Sequence, residues 1–175
     1  MSDLSYTVER MEAETTVQEY LRLCVDIPRF LECCKQCPNY GARWSCPPFD
    51  FDAAARWREY KTLRLYARYV VPGTDRSAKN LLDALAKEKS AFIRDLLALE
   101  RATPGSLVLA CGSCSLCTSC ERAQGRPCRF PEQVRPSIES MGGDVGETAS
   151  RYFGRPLLWV QGEEAPDYLT LVGGL

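Results

Sequence analysis

The sequence predicts an α+β fold: a small sheet with helices packed on it, interrupted by two cysteine-rich metal-binding loops, in a single domain over residues 1–175. Three observations predict it. Residues 62–71 (TLRLYARYVV) alternate with period two, placing Leu63, Leu65, Ala67, Tyr69 and Val71 on one face of a half-buried strand. Residues 75–102 carry the 3.6-residue apolar period of an amphipathic helix, with Leu81, Leu82, Leu85, Phe92, Leu96 and Leu99 on its buried side. The ten cysteines are not spread evenly: nine fall into two groups.

The other elements follow in order. Residues 15–34 read as two short helices broken at Pro28, because proline cannot continue a helix through its interior. Cys24, in the apolar period of Val17, Leu21 and Ile27, reads as a small buried core residue. Residues 51–60 read as a helix capped by Asp50 or Asp52. TPGS ends the long helix, and residues 106–110 (SLVLA) form a short apolar strand leading into the second cysteine group. Residues 143–153 read as a helix with Asp144 and Glu147 spaced as a capping box. Residues 155–161 and 167–173 read as a closing hairpin. Strand, helix, strand, then helix and hairpin give a sheet with helices on one side.

Composition excludes several functions. At 45% hydrophobic and 26% charged, the 175-residue chain has enough apolar surface for a core without disulfides. A net charge of -1 gives no field that favours nucleic acid. The N-terminus (MSDLSYTVERMEAETT) lacks the basic and apolar regions of a signal peptide, and no apolar run is long enough to span a bilayer. The expected location is the cytoplasm, where thiols stay reduced and ten cysteines point to metal. The absence of histidine excludes Cys2His2 and Cys3His zinc sites, Rieske centres, and catalysis through Ser-His-Asp or Cys-His.

Any metal is therefore held mainly by thiolates, which select zinc, iron–sulfur clusters or Cu(I). The first group is Cys33, Cys34, Cys37 and Cys46; the second is Cys111, Cys114, Cys117, Cys120 and Cys128. Structural zinc joins two Cys-x2-Cys knuckles a dozen or more residues apart. A thiolate at every third residue instead suits a chain winding round a cubane, as in bacterial ferredoxins, where a later cysteine followed by proline ligates the other cluster. SCSLCTSC has that rhythm and Cys46-Pro47 has that pair, so the spacing favours one or two [4Fe–4S] clusters over the alternative, zinc. Arg122, Arg126, Arg129 and Arg135 could offset the negative charge of a cluster, or form an ordinary solvated basic loop. Ser137 and Glu139 could polarise a substrate, but Ser137 reads better as a helix cap. Tyr40 and Trp44 could shield a cluster or serve as core aromatics.

The blocks CPNYGARWSCPP and CSLCTSCERAQGRPCRFPEQVRPSIESMGGDV resemble the prokaryotic family called domain of unknown function 2284, predicted metal-binding proteins. The resemblance implies a metal set drawn from a cysteine pair before Tyr40-Gly41, Cys46 ahead of Pro47-Pro48, and Cys114, Cys117, Cys120 and Cys128, followed by Arg135-Pro136-Ser137. Cys111 is an extra beyond that set, and the doubled Cys33-Cys34 leaves open which of the two pairs with Cys37. Ile138 and Gly143 stand where the family commonly has methionine and isoleucine.

Three functions stay open: electron transfer to, or reductive activation of, a partner such as a corrinoid or radical enzyme; a zinc-stabilised adaptor; and an enzyme with an open-site cluster. For any of them the two cysteine groups are expected to meet in space, since the first cannot fill four ligands without two adjacent thiols.

Overall fold

The computed structural model describes residues 5–175. Three antiparallel strands form the sheet, in the order β1 (Tyr6–Thr16), β2 (Thr62–Pro72), β3 (Leu169–Gly174). β2 is central, with Met11 of β1 opposite Ala67 and Leu171 of β3 opposite Arg68. Both faces of β2 are therefore covered. Leu63, Leu65, Ala67 and Tyr69 are buried on one face, against Tyr20 and Cys24 of α1 (Val17–Cys24), Trp57 of α3 (Ala53–Arg58) and Phe153 of α5 (Val145–Phe153). On the other face, Leu171 and Tyr66 pack against Phe92 and Leu96 of α4 (Ala78–Ala102). The helices thus take both faces of the sheet, not one. Arg68, buried on the α4 face, is satisfied by Glu88 at 3.5 Å and by Asp95, with its guanidinium 4.8 Å from the Phe92 ring centre.

Local chemistry sets the helix ends. Thr16 and Asp26 cap α1 and α2 (Ile27–Lys35), so the break falls at Val25 and Asp26 and Pro28 sits in the first turn of α2, where its missing N–H has no partner to lose. Asp52 caps α3 through the Ala55 N–H at 2.7 Å. Asp144 caps α5 through the Glu147 N–H at 2.9 Å, but the capping box is half made: Glu147 turns to Arg151, and the Asp144 N–H goes to Cys24 O. Cys24 lies in the core, as its apolar period requires.

Several expectations fail. β1 is a strand although the sequence offered no strand signal there, and Leu82 and Leu99 of α4 lie exposed. Residues 155–161 form no strand, so there is no closing hairpin; Trp159 is 71% exposed. Residues 106–110 contribute only two single-residue bridges, Leu109 to Gly174 and Ala110 to Ser137. Among the described residues no helix is long and apolar enough to cross a membrane.

Candidate metal centre

The first cysteine loop begins where α2 ends. Cys33 and Cys34 occupy its last turn, and the chain then folds through successive turns: the Gln36 N–H reaches Cys33 O, Cys37 N–H reaches Cys34 O at 2.9 Å, Tyr40 N–H reaches Cys37 O at 3.0 Å, and Cys46 N–H reaches Arg43 O at 3.1 Å. Gly41, at φ 65°, supplies a left-handed turn that lets its N–H bond Pro47 O at 2.8 Å. These turns gather the thiols. Burial pushes the Cys34 thiol up, and the neighbouring thiols of Cys46, Cys37 and Cys33 push it further. Burial also raises Cys46, against a lowering contact with the Ser45 hydroxyl.

The second loop leaves the sheet edge at Ala110. Gly112 turns it at φ 59°, and a 3-10 turn over Glu121–Gln124 with left-handed Gly125 brings it back. Burial raises the Cys114 thiol; the Leu116 N–H lowers it and the thiols of Cys128, Cys117 and Cys120 raise it. The Phe130 N–H lies 3.4 Å from Cys128 Sγ, the kind of donor that steadies a ligating sulfur. Cys111 is brought to neither group. It is 3% exposed, packed with Phe92, Leu96 and Val108, and burial pushes its thiol up to about 12.

The two loops meet. The Cys114 N–H donates to Ser45 Oγ at 2.9 Å, and Arg43 Nη1 donates to Cys114 O at 2.8 Å. Arg122 Nη1 donates to Arg43 O at 2.9 Å and Cys46 O at 2.6 Å, its Nη2 donates to Pro48 O, and its guanidinium stacks 5.0 Å over Trp44. Trp44 Nε1 donates to Arg126 O at 3.1 Å, which makes this half-exposed tryptophan part of the seam between the loops. Arg126 and Arg129 pair with the buried Glu121, whose carboxyl they hold below its usual range, and Arg135 forks onto Glu100 at 2.6–3.1 Å. Ser137 Oγ accepts the Ser140 N–H at 3.1 Å, but the cap position of the short turn Glu139–Met141 is Ile138, so Ser137 is not its cap. Ser45 and Arg43 were invisible as site residues; only their place beside Cys46 pointed to them.

Among the described residues, no three Cys, Asp or Glu side chains converge on a single-ion site: the thiols are gathered loop by loop, not drawn onto one point. The donor set nonetheless fits a soft metal. Each loop supplies four thiols, and burial with the neighbouring thiols raises Cys34 in the first and Cys114 in the second, so a cation must displace those protons to bind.

The site is tied to the rest of the fold through Gly142. At φ 85° it lets Ile27 approach within 2.6 Å of where a Cβ would stand, and the Asp26 N–H bonds its carbonyl at 2.9 Å. A Cβ on Gly143 would lie 2.4 Å from Ile138 Cγ2 and 2.9 Å from Ile138 O, so the close approach of Ile138, backbone as well as side chain, requires the glycine. No curated protein and no solved structure matches the chain. The family model described as predicted metal-binding protein, DUF2284, matches residues 22–175, and the chain belongs to that family.

Proposed function

We propose that this metal-binding protein carries one or two [4Fe–4S] clusters, held by Cys114, Cys117, Cys120 and Cys128 together with thiols of the Cys33, Cys34, Cys37 and Cys46 loop, and passes electrons to a partner enzyme in a reducing compartment such as the cytoplasm. The carrying observation is the three-residue spacing of Cys114, Cys117 and Cys120 together with the seam of hydrogen bonds that sets one cysteine loop against the other. When bound, such clusters would supply one-electron chemistry.

The chain's own residues support that role better than hydrolysis. A hydrolytic metal needs an open position and a base beside it. Here Asp144 is spent as a helix cap, Glu121 is taken by two arginines, Glu139 is half-buried against the Gly112 N–H, and there is no histidine. Arg43 and Arg122 hold the loop backbones together and place positive charge beside the thiolates. Leu116 and Phe130, exposed among the cysteines, offer apolar contact to a partner protein at the point where electrons would leave. A corrinoid or radical enzyme that needs low-potential electrons is the partner class this reading implies.

The test is iron, sulfide and zinc analysis of anaerobically purified protein, followed by dithionite titration. Iron and sulfide in equal amounts, with absorbance that bleaches on reduction and returns on oxidation, support the reading. Zinc without sulfide leaves a structural adaptor. A cluster that binds a small molecule at an iron lacking a thiolate makes the protein an enzyme.

A further inference from the structure

A large hollow meets the cysteine groups only at Cys111. An open cavity of about 930 Å³ runs along β3, between Leu82, Leu85 and Lys89 of α4 on one side and the start of α5 with residues 156–160 on the other. That volume is at the upper end of ligand sites. The wall of the cavity that matters is the outer edge of β3.

β3 is an edge strand with regular alternation. Arg64 and Leu175 exchange both backbone hydrogen bonds at 2.9 Å, so residues 173, 171 and 169 bond β2 while 174, 172 and 170 point outward. Gly174 finds Leu109 there, again with two bonds of 2.9 Å. The chain then leaves the edge, because the Ala110 N–H goes to Pro136 O at 2.8 Å. Among the described residues nothing bonds the outward N–H and C=O of Val172 or Thr170, although Val172 is 2% exposed. The Thr170 hydroxyl is also buried without a partner. Buried backbone groups without partners are rare, and an open edge is a template for another strand. The chain's own candidate is held off: Pro156 O accepts the Tyr168 hydroxyl at 2.8 Å, and Val160 packs against Leu81, Ala84 and Leu169.

We propose that this edge binds an extended apolar segment of a partner protein as a fourth strand. The edge calls for alternating amide donors and acceptors, which an extended backbone supplies. The α4 leucines cover one face of the added strand, and the start of α5 with Leu157 covers the other, so successive guest residues are apolar, as in a strand buried on both faces. At about 3.3 Å per residue the open stretch takes roughly four or five residues. The guest ends beside Cys111 and Gly112, next to the turn that leads to Cys114. The site rests on the strand edge and not on the metal, so it can fail while the iron–sulfur reading stands, and the reverse.

The experiment uses the full metal-loaded chain and a set of capped, lysine-flanked pentapeptides of valine, isoleucine and leucine. Residue-resolved hydrogen exchange follows the Thr170 and Val172 amides. Lacking hydrogen-bond partners, both are expected to exchange faster than the paired Leu171 and Gly173 amides in the protein alone and to slow by at least about tenfold with peptide. N-methylating one alternate set of peptide amides should abolish the effect, and methylating the other set should leave it. Protection already present without peptide would mean that residues 157–160 close the edge themselves. Equal binding by both methylated sets would mean an apolar small-molecule cavity. Either result, or no protection by any peptide, overturns the proposal.

Discussion

Arg122 is the residue through which the two cysteine loops can be separated without touching a thiol. Truncation to alanine removes two hydrogen bonds of 2.9 and 2.6 Å, a third to Pro48 O, and the stacking on Trp44. The carbonyls are only partly buried and regain water, so each bond counts at the low end, about 1 kcal/mol, with about 0.5 kcal/mol for the stacking. The loss, about 3.5 kcal/mol, falls on the order of residues 43–48 and not on the sheet, because every partner lies in that loop. If metal binds loops already held together, the lost order is subtracted from binding, and about 3.5 kcal/mol is about three-hundredfold in affinity. Chelator competition on Arg122→Ala should show that fall while the thermal midpoint of the metal-free fold moves little. Arg122→Lys keeps the charge but not the fork and should lie between. Unchanged metal affinity in a folded Arg122→Ala protein would refute the reasoning: the loops would then be assembled by the metal alone.

Two further outcomes follow. Cys114→Ser, Cys117→Ser and Cys120→Ser should each lose most of one metal centre by elemental analysis, whereas Cys111→Ala, a change within the core, should keep the metal and lower stability by about 1–2 kcal/mol. Burial raises the Glu100 carboxyl, but the fork from Arg135 and the Val108 N–H outweigh it and hold its pKa below the usual carboxylate range. Its contribution is therefore complete above the ordinary carboxylate pKa and disappears as pH falls through the depressed value, so urea midpoints of the wild type should drop more steeply toward about pH 3 than those of Glu100→Gln.

The chemistry-bearing parts were legible because they depend on local spacing. Thiols at every third residue, the period of α4 and the caps Asp52 and Asp144 are written over a few positions each. What escaped was decided by distant partners. β1 is built from Glu9, Arg10, Glu12 and Glu14, good helix formers with little apolar alternation, and is extended only because β2 offers eleven residues of ladder. Arg68 looked like a solvent-facing residue of a half-buried strand; α4 covers that face, and Glu88 and Asp95 make the burial tolerable. Residues 155–161 have the composition of a strand, yet Tyr168 and the Val160 contacts hold them away from β3. Ser45 could not be singled out because its role appears only when the Cys114 N–H arrives from 69 residues away.

The charge around the cysteines ties the metal to the stability of the loops. Among the described residues Arg43 and Arg122 face only carbonyl oxygens and no carboxylate, and Glu121 balances just one of Arg126 and Arg129. Three positive charges are left in the loops. Without metal, burial keeps the Cys34, Cys46 and Cys114 thiols protonated at neutral pH, so those charges stand unopposed. With metal, each set of four thiolates around a dication carries about −2, and the repulsion becomes attraction. Taking a Debye length as the scale of separation, like charges repel by about 0.4 kcal/mol per pair in water, or about 1 kcal/mol for three pairs. For a chain of this size that is about 2–4 °C in thermal midpoint. Added salt should therefore raise the midpoint of the metal-free protein by about that amount and leave the loaded protein unmoved or slightly lower. The measurement is a pair of thermal melts, with and without metal, across a chloride series. If both forms respond to salt alike, the arginines are solvated surface charge, and the metal is held by its thiolates without their help.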